Sequence, residues 1–230
     1  MSDPAGITAP AEDYLKAIYD IERGGEAAAT NDIAARLGIA AASVSGMIRR
    51  LAEQGLISHE RYKGTRLTAA GRKAALRTIR RHRVIESYLA RALGYPWDRV
   101  HEEAERLEHA ASDELVDRMA RAIGEPHIDP HGAPIPTREG LVDETPLRTL
   151  LDVHAGQRCR IVSVADEDGD ILRYVAKLGL RPGVEVVVAE RAPFDGPISL
   201  RVAAESEPVQ IGATLAAVIR VEPVADRLAR

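Results

Sequence analysis

Histidine and glutamate residues between positions 101 and 109 are spaced in a way that suits metal binding. At about 100° per residue of an α-helix, Glu105, Glu108 and His109 share an arc of about 100° with His101. The apolar residues of the same stretch cluster on the adjoining face. One helix is therefore predicted to offer four ligands to a metal ion.

His82 and Glu86 form a second potential chelating pair, because residues four apart lie on one face of a helix. Imidazole and carboxylate ligands without thiols suit Mn(II), Fe(II), Co(II) or Zn(II). The ordinary alternative is an exposed acidic helix face with ion pairs. Three histidines and three glutamates on two helices favour the metal site over that alternative.

The sequence lacks a complete catalytic motif of the common hydrolase classes. The sequence His101-Glu102-x-x-Glu105 is similar to a zincin helix, but its last position is Glu instead of His. The chain has no Walker loop and no G-x-S-x-G motif, and no histidine pairing accompanies Cys159. We therefore expect no enzyme and no small organic substrate, and a metal-dependent hydrolase remains a minor alternative.

Helices must position these ligands, and apolar periodicity predicts where they lie. A first helix is expected over residues 11–22, a second capped by Thr30 and ending at Gly38, and a third over 41–54. Two strands over 56–61 and 65–68 follow, joined at Lys63-Gly64. Longer helices are expected over 69–93, from 98 to 107 and beyond, and over 114–123.

Helix, glycine, helix and hairpin is the layout of a winged helix-turn-helix, which binds double-stranded DNA. Small or polar residues on the outer face of the third helix could enter a major groove: Ala40, Ala42, Ser43, Gly46, Arg49 and Arg50. Phosphate contacts are expected from Arg49 and Arg50 and, on the hairpin, from Arg61, Lys63 and Arg66. The alternative is a protein-interaction module of the same shape.

A net charge of -4 taken alone argues against DNA as a partner, but the charge is unevenly distributed along the chain. Residues 36–83 contain 12 Lys/Arg against 2 Asp/Glu, and residues 1–83 contain 14 against 9, so the remainder of the chain carries -9. The single cysteine, the lack of an apolar run of ~18 residues and an N-terminus unlike a signal peptide predict a cytoplasmic protein without a membrane partner.

Residues 129–146 hold four prolines and two glycines, which is typical of an ordered loop or linker. After this segment the sequence pattern changes from helical to strand-like. Strands are expected over 160–164, 184–189, 198–202 and 217–221, with one helix over 171–178. The predicted fold class is mainly α with a small β domain. The expected domains are a winged helix-turn-helix over 1–75, a helical metal-binding and dimerisation domain over 76–145, and a β domain over 150–230.

Several motifs resemble one known family in the same order along the chain. They are Ala11-Glu12-Asp13-Tyr14-Leu15-Lys16-Ala17-Ile18-Tyr19, the winged helix, Arg81-His82-Arg83, Val100-His101-Glu102-Glu103-Ala104-Glu105, Glu108-His109 and Asp129-Pro130-His131-Gly132-Ala133-Pro134-Ile135-Pro136. These resemble the diphtheria-toxin-repressor family of metal-dependent transcriptional regulators, especially its manganese-responsive (MntR) branch. The β-rich tail resembles the SH3-like, FeoA-type domain of the longer members.

The resemblance implies two metal positions in each subunit. It implies a regulatory site of Asp13, Glu105, Glu108 and His109. It implies an ancillary site of His82, Glu86 and His101, completed by a third-domain residue, for which Asp168 is the best match and Asp166 or Asp170 the alternatives. Lys16 and Ile171 depart from ligand positions of other members.

Iron-sensing members of the family carry Met and Cys at the positions of Asp13 and Glu105, and carboxylates there favour Mn(II) over Fe(II). The resemblance thus implies a homodimer that binds a palindromic operator when manganese is plentiful and controls metal homeostasis genes. The alternatives are an Fe(II)-dependent repressor of iron uptake and a winged-helix regulator that needs no metal.

Overall fold

The chain folds into two compact units in a computed structural model, which describes residues 7–60, 63–165, 168–194, 196–202 and 207–224. Unit 1 comprises Met1–His82, Leu107–Asp113 and Pro136–Val142. Unit 2 comprises Arg83–Arg106, Glu114–Ile135 and Asp143–Arg230. Neither unit is one continuous stretch of sequence.

Unit 1 begins with three helices and a two-stranded hairpin. They are α1 (Ala9–Glu22), α2 (Thr30–Leu37), α3 (Ala41–Glu53), β1 (Ile57–Glu60) and β2 (Gly64–Leu67). The three helices share one core, in which Leu15, Ile18 and Leu51 are completely buried. Gly38 ends α2 in the left-handed conformation, at the predicted stop, but Ala29 and not Thr30 is the N-cap.

Three further helices are α4 (Ala69–Leu93), α5 (Val100–Leu107) and α6 (Asp113–Ala122). The predicted bounds of α4 are confirmed. Helix α5 ends earlier than expected, because the backbone N–H groups of Ala110 and Ala111 both bind the carbonyl of Leu107. Glu108 and His109 therefore lie in a turn, and the prediction that all four ligands share one helix was wrong.

The rest of unit 2 is built on one six-stranded sheet. Its strands are β3 (Arg148–Thr149), β4 (Arg158–Val164), β5 (Glu185–Arg191), β6 (Ile198–Arg201), β7 (Val209–Ile211) and β8 (Ile219–Pro223). Every neighbouring pair in the order β3-β8-β4-β5-β6-β7 is antiparallel. The fold class, mainly helical with a small β domain, is confirmed.

Two helices accompany the sheet, α7 (Gly169–Lys177) and α8 (Ala213–Val218). Leu172 of α7 is completely buried in the apolar core that the helix shares with the sheet. Residues 217–218, predicted to begin a strand, instead end α8, and β8 starts at Ile219, two residues later than predicted. The short strands β3 and β7 were not predicted. Within the described residues, no helix is long and apolar enough to span a bilayer.

Candidate functional site

His109 is surrounded by carboxylates in unit 1. Its Nδ1 lies 2.7 Å from Glu12 Oε2, and its Nε2 lies 2.8 Å from Asp13 Oδ1 and 3.5 Å from Glu108 Oε1. A neutral imidazole carries one N–H, so it can donate to only one side of this ring of acceptors. The other nitrogen then faces carboxylates with its lone pair, an arrangement that a proton or a metal ion completes.

Glu12 is the partner that orients His109. It is buried, and its second oxygen accepts a hydrogen bond from Arg81 Nη1 at 3.0 Å. Arg81 in turn binds Asp113, which also pairs with Arg77. With Nδ1–H held by Glu12, Nε2 of His109 is the nitrogen presented to Asp13 and Glu108, as in histidines that ligate metals.

Sequence reasoning missed Glu12, although a signal was present. Glu12 shares a helical face with Leu15 and Tyr19, both of which are buried. A carboxylate in an apolar stripe needs a buried partner, so it marks a polar network. That network connects α1 to α4 and to the segment Leu107–Asp113 within unit 1.

Glu108 is completely buried, and its two oxygens contact the side chains of Lys16 and His82. Its Oε1 accepts a hydrogen bond from Lys16 Nζ at 3.0 Å, and its Oε2 lies 2.5 Å from His82 Nδ1. Burial alone would raise the pKa of Glu108, but the contacts with His82 and Lys16 outweigh it and lower that pKa. Glu108 is therefore held as a carboxylate, the form that binds a metal ion.

The pKa of His109 is shifted in the opposite direction. Burial opposes the charged imidazolium, but the hydrogen bond to Glu12 and the nearby charges of Asp13 and Glu108 outweigh it and raise this pKa. The negative potential that favours a proton at His109 favours a divalent cation for the same reason. Donor atoms of Asp13, Glu108 and His109 lie within 4.8 Å of one another, so the three side chains fit one ion.

The other predicted ligands are divided between the two units. His82 ends unit 1 and contacts Glu108, whereas Glu86, His101 and Glu105 belong to unit 2. In unit 2, His101 Nδ1 lies 3.4 Å from Glu86 Oε1, and His101 Nε2 lies 3.9 Å from Glu105 Oε1. Glu86 is almost completely buried there.

A second group of donors surrounds Glu86 and includes two residues to which no role was assigned from the sequence. Asp129 and His131 are buried, and their donor atoms lie within 4.8 Å of those of Glu86. His131 Nε2 lies 2.7 Å from the carbonyl oxygen of Trp97, which can only accept a hydrogen bond. In its neutral form the ring must therefore carry its proton on Nε2, and the lone pair of Nδ1 then points towards Glu86 Oε1, 3.7 Å away.

Two buried carboxylates at this second group repel each other. Burial and the neighbouring Glu86 raise the pKa of Asp129, and the Arg83 guanidinium, 3.4 Å from Asp129, opposes that shift. A cation bound between Asp129 and Glu86 would relieve this repulsion. The signal in the sequence was the pair of a carboxylate and an imidazole two residues apart, Asp129 and His131.

The third-domain residues predicted to complete the ancillary site are placed only in part. Asp168 is the N-cap of α7, where its Oδ1 accepts the backbone N–H of Asp170 at 2.8 Å. It belongs to none of the donor groups found among the residues that the structure covers. Asp166 lies outside the described residues.

The predicted DNA-contacting residues form an exposed face on unit 1. The buried side of α3 consists of Val44, Ile48 and Leu51. The predicted DNA-contacting residues of this region are all exposed to solvent: Ala40, Ala42, Ser43, Gly46, Arg49 and Arg50. Neither Arg49 nor Arg50 makes an ion pair within the described part of the chain. On the hairpin, Lys63 and Arg66 are exposed as well, and Arg61 lies outside the described residues.

Three domain families match consecutive parts of the chain. They are the N-terminal DNA-binding domain of iron-dependent repressors over residues 7–65, their metal-binding and dimerisation domain over 68–137, and the FeoA domain over 148–223. The iron-dependent repressor IdeR of Mycobacterium tuberculosis is 32% identical over 200 residues, 80% of this chain and 85% of that protein.

The chain belongs to the iron-dependent repressor, or diphtheria toxin repressor, family. The diphtheria toxin repressor of Corynebacterium diphtheriae is 29% identical over 92% of this chain and 96% of that one. The resemblance inferred from the sequence is thereby confirmed. This member of the family is a metal-dependent transcriptional repressor, and the family is not one of enzymes.

Solved structures of the family include close matches to this member. A manganese-dependent transcriptional repressor in complex with manganese is 40% identical, with a TM-score of 0.85, and the match covers 93% of this chain and all of that one. ScaR with bound Zn2+ is 30% identical, with a TM-score of 0.81, over 93% and 99% of the two chains. The family fold therefore extends over nearly the whole chain.

Proposed function

We propose that this chain is a manganese-activated repressor, which binds a palindromic operator as a homodimer and controls metal homeostasis genes. The observation that carries the proposal is the geometry at His109. One ring nitrogen is oriented by buried Glu12, and the other faces Asp13 and Glu108. Its relationship to a repressor solved with manganese supports the same function.

The chemistry of the donors supports Mn(II) as the physiological ion. Asp13, Glu108 and His109 offer oxygen and nitrogen only, and the one cysteine of the chain is buried among apolar residues of the β domain. Hard donors suit Mn(II), whereas thiolates and thioethers suit softer ions. Fe(II) is the second candidate, because one relative, which is 32% identical to this chain, is named the iron-dependent repressor IdeR.

The proposed mechanism joins the metal site to the DNA-contacting helix through α1. Asp13 lies on α1, which shares a core with α3, while Glu108 and His109 lie on the segment Leu107–Asp113 of the same unit. A bound divalent cation would supply the positive charge that lets these carboxylates approach one another. Asp13, Glu108 and His109 then hold α1 against this segment and so fix the orientation of α3.

In a symmetric dimer, two fixed copies of α3 can enter successive major grooves, about 34 Å apart. Without the ion, the chain pays an ordering cost before it binds DNA. Because the coupling is reciprocal, operator DNA must tighten metal binding by the same factor. Contacts to thymine methyl groups and DNA shape are expected to contribute to the sequence preference, since Ala40, Ala42 and Gly46 offer few hydrogen bonds.

We further propose that Glu86, Asp129 and His131 bind a second cation. All three are buried, and Nδ1 of His131 lies 3.7 Å from Glu86 Oε1. Of the ancillary ligands expected from the resemblance, His101 lies near Glu86, and Asp168 remains a candidate without support from the described contacts.

The decisive experiment is operator affinity across a metal series. A duplex selected from a random pool is titrated with the protein at fixed salt in Mn(II), Fe(II), Co(II), Zn(II) or EDTA. We expect Mn(II) to give the tightest binding and EDTA to weaken it by at least tenfold. Equal binding in EDTA would establish a metal-independent regulator, and preference for Fe(II) would establish the iron-dependent alternative.

A separate prediction concerns the exposed residues of α3 that are proposed to contact DNA. Arg49 has no ion-pair partner in the described part of the chain, so Arg49→Ala removes a phosphate contact without breaking an internal one. Binding to all duplexes should weaken alike, and the slope of log K against log salt should flatten by about one unit. Arg118→Ala, on α6 and paired with Glu114, is the matched control and should leave the slope unchanged.

A further inference from the structure

The loop that carries Asp129 and His131 is closed by its own hydrogen bonds. Asp129 Oδ1 accepts the backbone N–H groups of His131 and Ala133, at 2.8 and 3.0 Å. The backbone N–H of Asp129 binds the carbonyl of Ala133 at 2.9 Å. Gly132 turns the chain with φ of +87°. The position of His131 therefore depends on what holds this loop.

Strand β4 holds the loop from the side of the β domain. The backbone N–H of Val164 donates to the carbonyl of His131 at 2.9 Å. Gly132 lies so close to β4 that a Cβ atom at this position would be 2.0 Å from the carbonyl oxygen of Val162. Only glycine combines this contact with a positive φ.

Val162 is itself an irregular position of the sheet. In the pairing of β4 with β8, Ile161 is opposite Val221 and Ser163 is opposite Arg220, so Val162 is an extra residue in β4. A bulge of this kind bends a strand and changes the direction of its peptide groups, and bulges are common next to functional sites. Here the bulged residue is the one that contacts Gly132.

Trp97 holds His131 from the other side. Its carbonyl oxygen lies 2.7 Å from His131 Nε2, its ring lies 5.3 Å from the imidazole, and Arg181 lies 4.7 Å above the indole. Trp97 also belongs to the apolar core of the β domain. The backbone of His131 and one of its nitrogens are therefore both held, and Nδ1 is left for Glu86.

We propose that the bulge in β4 is a positioning device, through which the β domain fixes His131 and Asp129 beside Glu86 for the second cation. The β domain then contributes to that site through backbone contacts and the Trp97 carbonyl, whether or not it supplies a ligand. This inference rests on the second cation site proposed above. It gives the β domain a specific part in metal binding.

Gly132→Ala tests the proposal, with Gly124→Ala as a matched control. Both glycines have a positive φ, +87° and +80°, but a Cβ at Gly124 would meet no atom within 4 Å. Each variant is titrated with Mn(II), and bound ions per chain are counted by equilibrium dialysis. Fluorescence of Trp97, the only tryptophan of the chain, is followed in parallel.

We expect the wild type and Gly124→Ala to show metal-dependent quenching of Trp97. Gly132→Ala should bind the ion that quenches Trp97 at least tenfold more weakly, the effect of disturbing groups that orient metal ligands. The ion at Asp13, Glu108 and His109 should be retained. Unchanged affinity in Gly132→Ala would overturn the proposal, and so would an equal loss in Gly124→Ala.

A second measurement on the intact chain serves if Gly132→Ala fails to fold. Hydrogen exchange at the Val164 amide should slow on addition of Mn(II) in the wild type but not in Glu86→Gln. The same rate with and without Mn(II) would overturn the positioning role. If Glu86→Gln also leaves the number of bound ions and the quenching of Trp97 unchanged, the second cation site itself is absent. This outcome distinguishes failure of the second cation site from failure of the positioning role alone.

Discussion

Glu108→Gln is expected to abolish the manganese dependence of operator binding. Glu108 is completely buried and lies 3.5 Å from His109 Nε2, so its charge stabilises a cation without competition from water. Glutamine keeps the shape and one acceptor oxygen but loses that charge. The Mn(II) affinity of the regulatory site should fall by at least ~100-fold, beyond the 10–100-fold typical of residues that only orient ligands.

Glutamine is the appropriate replacement, because alanine would leave Lys16 and His82 without their common partner. Removal of one member of a buried ion pair costs about 3–5 kcal/mol and would confuse unfolding with loss of metal binding. Titration of the apo protein and its variant with Mn(II), followed by operator binding, measures the effect. Glu114→Gln, at an exposed glutamate of α6, is the control. A normal manganese response in Glu108→Gln would place the regulatory ion elsewhere.

Lys16→Met is expected to have the opposite effect and to tighten Mn(II) binding. The Lys16 ammonium lies 3.0 Å from Glu108 Oε1 and is mostly buried, so it already neutralises an oxygen that the ion would use. An incoming dication must displace this ammonium or bind beside it. Methionine keeps the apolar stem but lacks the charge, and we expect affinity to rise on the order of tenfold, about 1.4 kcal/mol.

The same substitution should destabilise the apo protein, because Glu108 loses a cationic partner. Thermal unfolding with and without Mn(II) therefore gives a second signature, a lower Tm for the apo form and a larger increase on adding metal. Lys73→Met is the control, since Lys73 is exposed on α4. Weaker Mn(II) binding in Lys16→Met would mean that Lys16 orders the site instead of competing with the ion.

The sequence predicted the helical framework well where local signals were strong. Helix α4 runs over Ala69–Leu93 as expected, because its apolar periodicity is long and Gly94 follows it. Gly38 ends α2 for a similar local reason. The short strands β3 and β7 have two and three residues, too few for a visible alternation, and they form only because longer strands lie beside them.

The geometry of the candidate ligands could be predicted less well than the helical framework. No Gly or Pro follows Leu107, so nothing local indicates that α5 ends there and places Glu108 and His109 in a turn. The position of His131 beside Glu86 could not be derived from spacing either. It depends on contacts with Trp97 and β4, which are 34 and 33 residues away in the chain.

The stretches of sequence that make up unit 1 determine how α3, the proposed DNA-contacting helix, can be isolated. Arg77 and Arg81 of α4 bind Asp113, and Arg80 donates to the carbonyl of Pro136, so three separate stretches of chain make up one compact body. No single cut releases that body intact. A fragment ending near residue 75 would lack the ion pairs with which Arg81 and His109 hold Glu12. The proposed metal ligands Asp13, Glu108 and His109 are thus part of the folding unit that carries α3. A DNA-binding fragment defined by sequence continuity alone would be structurally incomplete.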